Sequence, residues 1–334
     1  MRPLQRVHAT VRGDPRDHAP NQPLLMSFAV AHHGVTYEEY VKDHRTLVAA
    51  QLRVADDFDV DVVTCCSDAW REAGDLGAEL SFYDREPPGC KTRLLPDKKL
   101  LASLTPVAPE NGPRMSDRIA AVEALAGAVG GEIEVDGWVE GPVAQAANLR
   151  GVTEFMLDTL DDPRFAAELM DWVTELEVSF ARAQIAAGAD AIGIGDAASS
   201  LVSPEFYESH VLPRIGGIVG AIHEEGALAR LHVCGDTTHL LPHFGRLGVD
   251  IIEVDSLVDF AGARRKVGDD VTLLGNLNPV AHIQEGSPET IKAELQRCYD
   301  VARPRYIVGA GCEIPAGTSP ENLRALAEFA RSVT

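Results

Sequence analysis

Three side chains that bind soft metal ions come from two stretches far apart in the chain. Arg230-Leu-His-Val-Cys-Gly-Asp-Thr237 carries His232 and Cys234, and Tyr306-Ile-Val-Gly-Ala-Gly-Cys-Glu-Ile-Pro315 carries Cys312. The first stretch is a short apolar run ending at a glycine, the pattern of a buried strand that runs into a loop. Residues two apart on a strand point the same way, so His232 and Cys234 share one face at its end. The second stretch delivers Cys312 just beyond another β-prone run. One imidazole and two thiols, with a fourth place open, is the ligand set of a catalytic zinc site, whereas structural zinc sites add a fourth protein ligand. Cysteine is also among the most often buried residue types, so the His-x-Cys pair alone would read as core. The third residue and the strand-end setting favour zinc.

Composition narrows the function classes. The 334 residues are 45% hydrophobic and 24% charged, enough for one large domain with an ample core. The formal net charge of -21 would repel phosphate backbones, which argues against a nucleic-acid partner and for a solvated surface. Six cysteines without framework spacing point to a reducing compartment. No apolar run approaches the ~20 residues of a membrane span, and the N-terminus has no signal-like apolar segment. A cytoplasmic protein is the expectation.

These residues need elements to hold them. Residues 1–23 read as an irregular, exposed N-terminal extension and 24–334 as the catalytic domain. Eight strands are expected near 24–30, 61–66, 132–139, 189–196, 229–235, 250–255, 271–276 and 306–309. Thr36 with Glu39 forms a capping box for a helix reaching about residue 58. Residues 74–114 form an excursion after the second strand, with a small hairpin. Ser116 should cap a helix over 115–128, and one long helix should span 161–187. Ser203, Ser287 and Ser319, each followed by Pro-Glu, start three more helices. A further helix should reach residue 247. This repeated alternation favours an α/β fold of the (β/α)8 TIM-barrel type over an open doubly wound sheet. Gly193-x-Gly195-Asp196 lacks the dinucleotide-binding spacing that would support the open sheet.

In such a barrel the residues past each strand form one rim, here Asp68, Glu140, Asp196, His232, Cys234, Asp236, Asp255, Asn276 and Cys312. Asp196 and Asp236 could equally cap their own turns. Glu253 and Asp255 are two apart and both could face the axis, with Asp255 nearer the rim. A buried carboxylate there must be paired or metal-bound. Asp255 is therefore the candidate fourth zinc ligand, displaceable by substrate, and Asn276 is a candidate cofactor contact. Of the adjacent Cys65 and Cys66 on the second strand, one is expected to face the core, without a functional role.

From about residue 24 onward, the chain resembles the uroporphyrinogen decarboxylase superfamily of (β/α)8 barrels. The resemblance rests on Leu-Leu-Gly-Asn-Leu-Asn-Pro279 and on Gly-Cys-Glu-Ile-Pro-Ala-Gly-Thr-Ser-Pro-Glu-Asn322. The superfamily often has Asp where this chain has Asn278. Within it, His232-x-Cys234 with distant Cys312 resembles the zinc motif of the methylcobalamin:coenzyme M methyltransferases. That resemblance implies Zn²⁺ held by these three residues, a methyl group delivered as methylcobalamin or another corrinoid on a partner protein, and a small thiol such as coenzyme M as acceptor. No Asp-x-His-x-x-Gly segment is present to bind the corrinoid within this chain.

Three other readings stay open. A decarboxylase of the uroporphyrinogen type needs no metal, and Asp68 or Asp196 would stabilise its protonated pyrrole. Its Arg-Gln-Ala-Gly-Arg-Tyr-like segment is replaced here by Ala-Val-Ala-His-His-Gly-Val-Thr-Tyr37. A corrinoid methyltransferase using tetrahydrofolate would have no acceptor thiol to activate. A non-enzymatic corrinoid-binding barrel would not require the three metal-binding residues.

Overall fold

The computed structural model describes residues Met1 to Thr334. Nine strands occur: β1 (Val62–Thr64), β2 (Leu80–Ser81), β3 (Gly89–Cys90), β4 (Glu134–Glu140), β5 (Ala191–Gly195), β6 (Leu228–Val233), β7 (Ile251–Val254), β8 (Thr272–Gly275) and β9 (Tyr306–Ile307). All but the β2–β3 hairpin form one parallel sheet in the order β1-β4-β5-β6-β7-β8-β9, with helices between successive strands. The eighth stave is the extended segment at 20–22. Val308 N donates to Pro20 O (2.8 Å) and Gln22 N to Val308 O (2.9 Å) on one side, while Asp61 N donates to Asn21 O (2.8 Å) on the other. These bonds join β9 to β1 and close the wall, the barrel that the βα alternation implies.

The N-terminal stretch departs from expectation. The strand foreseen at 24–30 lies a few residues earlier, and Ser27–His33 is a helix whose Ser27 amide is capped by the Glu313 carboxylate. That partner is nearly the whole chain away, so local pattern could not supply it. Residues 1–23 are not an irregular lead-in either: Pro3–Arg12 is a helix, with Pro in its first turn and Gly13 closing it at φ +73°. Its Val7 packs on Ile251, Leu274 and Ile307 beneath the barrel, and Arg6 pairs with the buried Asp61.

The helices start largely where their caps predict. Thr36 and Glu39 form the expected capping box, but the chain breaks at Asp43, giving Tyr37–Lys42 and His44–Phe58. Ser203, Ser287 and Ser319 each cap their helix. The helix Pro113–Val129 is capped by Asp75, which accepts from Arg114 N and Met115 N, and Ser116 lies inside it. The long helix expected over 161–187 is Pro163–Ala186, capped by Asp162, and a separate helix, Val152–Asp161, precedes it. The helix expected to reach residue 247 shrinks to Leu241–Phe244, and an additional one spans Pro142–Arg150. The excursion and its hairpin are as expected.

The barrel interior is unusually acidic. Glu134, Asp136, Glu140 and Glu253 are all buried. Burial, reinforced by Asp136, pushes the Glu134 carboxyl up to about 8, and its Oε2 has no hydrogen-bond partner. A carboxyl whose folded pKa is raised stabilises the fold while protonated. That contribution is complete below about pH 4.5 and is lost as pH climbs through 8. Glu134→Gln is therefore expected to flatten the fall of Tm between pH 5 and 8.5 by up to one proton's worth, about 1.4 kcal/mol per pH unit. Parallel wild-type and variant melting curves across that range would contradict the assignment.

Candidate metal centre at the barrel mouth

Strand parity sets the site. Arg230 and His232 point inward from β6, and the chain leaves the strand after Val233 so that Cys234 stands at the rim. Gly235 then turns at φ +95°. Across the mouth, Cys312 arrives on the loop after β9. Gly311 lets that loop pass close over the end of β7, since a Cβ there would lie 2.3 Å from Ser256 N. The result brings His232 Nε2 to 2.8 Å from Cys234 Sγ, Cys234 Sγ to 3.7 Å from Cys312 Sγ, and Cys312 Sγ to 3.8 Å from His232 Nε2.

These spacings can be set against the demands of an ion. A tetrahedral zinc with Zn–S ~2.3 Å and Zn–N ~2.0 Å keeps two sulfurs about 3.8 Å apart and sulfur and nitrogen about 3.5 Å apart. Two of the three edges already match; the His232–Cys234 edge is shorter and must open by less than an ångström. The other ring nitrogen fits as well. His232 Nδ1 and Glu253 Oε2, opposite in the β6–β7 register, lie 3.5 Å apart, both buried and neither in a hydrogen bond. A small tightening gives the carboxylate–histidine pairing typical of metal sites. Glu253 also lies near Arg230 (3.9 Å), whose other partner is Asp136 (2.7 Å).

The protonation states pair a thiolate with an imidazolium, so a metal would have to displace a proton from His232. Hydrogen bonding from Cys234, with His232 close by, holds the Cys312 thiol down to about 4, while the same pairing pushes Cys234 up. Burial works against a charge on His232, but Glu253 and the Cys312 sulfur prevail and raise it to about 9. Cys312 thus offers a thiolate at neutral pH.

The other sequence-derived candidates separate into two groups. Asp68 and Glu140 line a cavity of about 220 Å³ beside the three candidate metal ligands, together with Trp138, Met26 and Glu313. Arg114 and Arg71 outweigh burial and keep the Asp68 carboxyl below its usual range. Asp196, Asp236, Asp255 and Asn276 do not line that cavity. Asp196 accepts from Ala144 N (2.6 Å) and Ser199 Oγ (2.5 Å), and Asp236 accepts from Thr238 N (3.0 Å). Asn276 donates to Asp255 O (3.1 Å) and Val258 O (2.8 Å). Asp255 accepts from Gly235 N and Leu257 N, both at 2.8 Å, and stays outside the His232–Cys234–Cys312 cluster. Its carboxylate is spent on the loops that carry the cluster. Asp255→Ala should therefore orphan two amides and cost about 1–3 kcal/mol for each that stays dry, read as a lowered denaturation midpoint. An unchanged midpoint would return Asp255 to the candidate ligands.

Several functional neighbours escaped the sequence reading. Trp138 lies 6.4 Å from the His232 ring, centroid to centroid. It fits because Gly193 and Gly195 lie beneath it: a Cβ at Gly193 would come within 2.3 Å of the indole. That Gly-x-Gly makes room for an aromatic ring. Arg71 is buried between Glu72 (3.2 Å) and Glu140 (2.9 Å), and Arg114 pairs with Asp68 (2.6 Å). Arg71 opens the short helix Arg71–Asp75 and Arg114 ends the charged excursion, with nothing local to mark either as paired.

Residues 2–333 match the uroporphyrinogen decarboxylase (URO-D) family. The chain belongs to that family. A methylcobamide:CoM methyltransferase, MtbA, of Methanosarcina mazei is 34% identical over 222 residues, which cover 66% of this chain and 64% of that relative. A uroporphyrinogen decarboxylase of Nocardia farcinica is 31% identical over 175 residues, 50% of this chain and 49% of its own. The chain thus spans less than two thirds of the length of these curated relatives. A solved methyltransferase from Methanosarcina mazei superposes with a TM-score of 0.91 at 21% identity, covering 99% of this chain and 98% of its own, which establishes the shared barrel fold. As in TIM-barrel enzymes generally, the candidate site lies at the carboxyl ends of the strands. No helix is long and apolar enough to cross a membrane.

Proposed function

We propose that this URO-D family member moves a methyl group from a methylated corrinoid to a zinc-held thiol. The observation that carries the reading is the convergence of His232, Cys234 and Cys312 beside a cavity open to a small molecule. The 34% identity to a methylcobamide:CoM methyltransferase supports it. His232, Cys234 and Cys312 would hold the ion, and Glu253 would fix the His232 ring. Asp255 would hold the Gly235 and Leu257 loops, leaving the fourth ligand position to the acceptor. Asp196 and Asn276 would brace the neighbouring rim loops, and Asp68 would shape the cavity wall. The corrinoid would arrive on a separate protein, and the reaction would run in the cytoplasm, where the six free thiols stay reduced.

Zinc, when bound, would supply the acidity that keeps an acceptor thiol as thiolate at neutral pH. The acceptor sulfur gives its electron pair to the methyl carbon. A methylated corrinoid would serve as the donor substrate, giving up its methyl and keeping the bond pair, and the thiol's proton would go to solvent. Trp138 and Met26 wall the cavity with apolar surface that limits water around the sulfur. The test is metal analysis with X-ray absorption on the purified protein. About one zinc per chain with Zn–S distances near ~2.3 Å is expected. A metal-free protein that decarboxylates uroporphyrinogen would replace this reading with the decarboxylase one.

A further inference from the structure

We infer that the acceptor thiol carries an uncharged apolar tail, which runs from the candidate metal centre into a trough between the helix Pro142–Arg150 and the 3-10 turn Ala197–Leu201. This rests on the proposed thiol methyltransferase reading and narrows its substrate class.

The trough adjoins the cavity beside His232, Cys234 and Cys312. It encloses about 300 Å³ and shares Ala69, Glu140 and Ala197 with that cavity, so one molecule can extend through both. Ala144 and Ala147 of the helix form one wall, and Ala198 and Leu201 of the turn form the other. Asp196 ties the two walls together, accepting from Ala144 N on one side and from Ser199 Oγ on the other. The trough is therefore built into the fold and does not wait for a ligand to open it. Leu201, 61% exposed, leaves an apolar edge to water.

Charge near the cavity selects no tail. Arg71 pairs with Glu140 (2.9 Å) and Arg114 with Asp68 (2.6 Å), so a charged tail of either sign meets both signs at once. Burial, with Glu72 close by, pushes the Glu140 carboxyl up to about 8 despite Arg71, which leaves the junction mostly uncharged at pH 7. Beyond Glu140 the trough has one polar side chain, Asn148, against seven apolar ones. The Asn148 amide nitrogen is already held by Ala69 O (2.7 Å) and Gln145 Oε1 (3.2 Å). A sulfonate, carboxylate or ammonium seated in the trough would leave most of its hydration unreplaced. The amide-fringed edge of a corrin would meet the same shortage of partners. A hydrocarbon tail has no hydration to lose, and it takes the exposed Val152 and Leu201 surfaces out of water.

The straight-chain alkanethiols from ethanethiol to hexanethiol share one thiol acidity and differ only in tail length. Their binding to the cobalt(II)-substituted protein is read from the thiolate-to-metal charge-transfer band. Each methylene fully buried should tighten binding about fourfold, and hexanethiol should exceed ethanethiol by at least about thirtyfold. Ala198→Phe fills the trough and Leu201→Ser removes its apolar edge, and neither residue lines the cavity beside the candidate metal ligands. Ala198→Phe should end the gain after the first few carbons, and Leu201→Ser should lessen it for the longest tails. Ethanethiol should bind both variants as it binds wild-type protein. A wild-type series that levels off by three carbons overturns this inference and leaves the methyltransferase reading intact. A series unchanged in Ala198→Phe, or in Leu201→Ser where the first variant does not fold, also overturns it, because the tail would then lie elsewhere. Absence of a charge-transfer band with every thiol overturns the methyltransferase reading itself.

Discussion

Cys312→Ala protein is expected to leave dialysis without zinc and without methyl transfer from methylcobalamin to a thiol, and Cys234→Ala likewise. Each removes one of only three protein ligands. Apparent zinc-binding energies of about 10–16 kcal/mol in four-ligand sites place several kcal/mol on each ligand, so a loss of about 10³-fold in affinity is the expected scale. Cys298→Ala is the matched control. Its thiol is buried against Asn276 Oδ1 (3.7 Å), away from the cavity, so its replacement should cost some packing and no metal. Zinc content is measured after exhaustive dialysis against a weak chelator, alongside thermal melting to confirm folding. Equal zinc in all three variants would remove Cys234 and Cys312 from the site.

The site was legible where strand geometry alone decides orientation. His232 and Cys234 share a face because they are two residues apart, and Glu253 faces inward for the same reason, opposite His232 in register. Cys312 was legible because loops after barrel strands converge on one rim. Asp255 obeys the same parity as Glu253, yet it lies past the end of β7. There a carboxylate turns to whatever amides the neighbouring loops offer, here Gly235 and Leu257. That choice depends on a loop twenty residues away. The extended segment closing the barrel was misplaced for a similar reason. Short apolar runs such as Leu24-Leu-Met-Ser-Phe-Ala-Val30 suit either a strand or a helix, and the decision came from the distant Glu313 at the Ser27 amide. By contrast, Pro3 and Gly13 mark both ends of the first helix and were available to the reading; the polar composition between them masked a helix that buries only one narrow face. The Arg71, Glu72, Glu140 and Glu177 cluster had no such marker. Its members come from two helices and a strand end, and only folding brings them together.

Glu253→Gln is expected to weaken zinc binding by about 10–100-fold while leaving the fold intact. The Glu253 carboxylate stands 3.5 Å from His232 Nδ1 without a hydrogen bond. When the other ring nitrogen takes an ion, Nδ1 must carry the proton, and a carboxylate is its strongest acceptor within reach. Glutamine keeps the shape and can still accept a hydrogen bond, but it removes the negative charge that favours a cation at the far side of the ring. The fold should tolerate the change because Arg230 retains its 2.7 Å contact with Asp136. Asp136→Asn provides the contrast: it disturbs the same guanidinium without touching His232, so zinc affinity should move far less. Chelator competition gives both affinities. Equal weakening in the two variants would mean that the general field of the barrel interior, and not the Glu253–His232 pairing, sets the strength of the site.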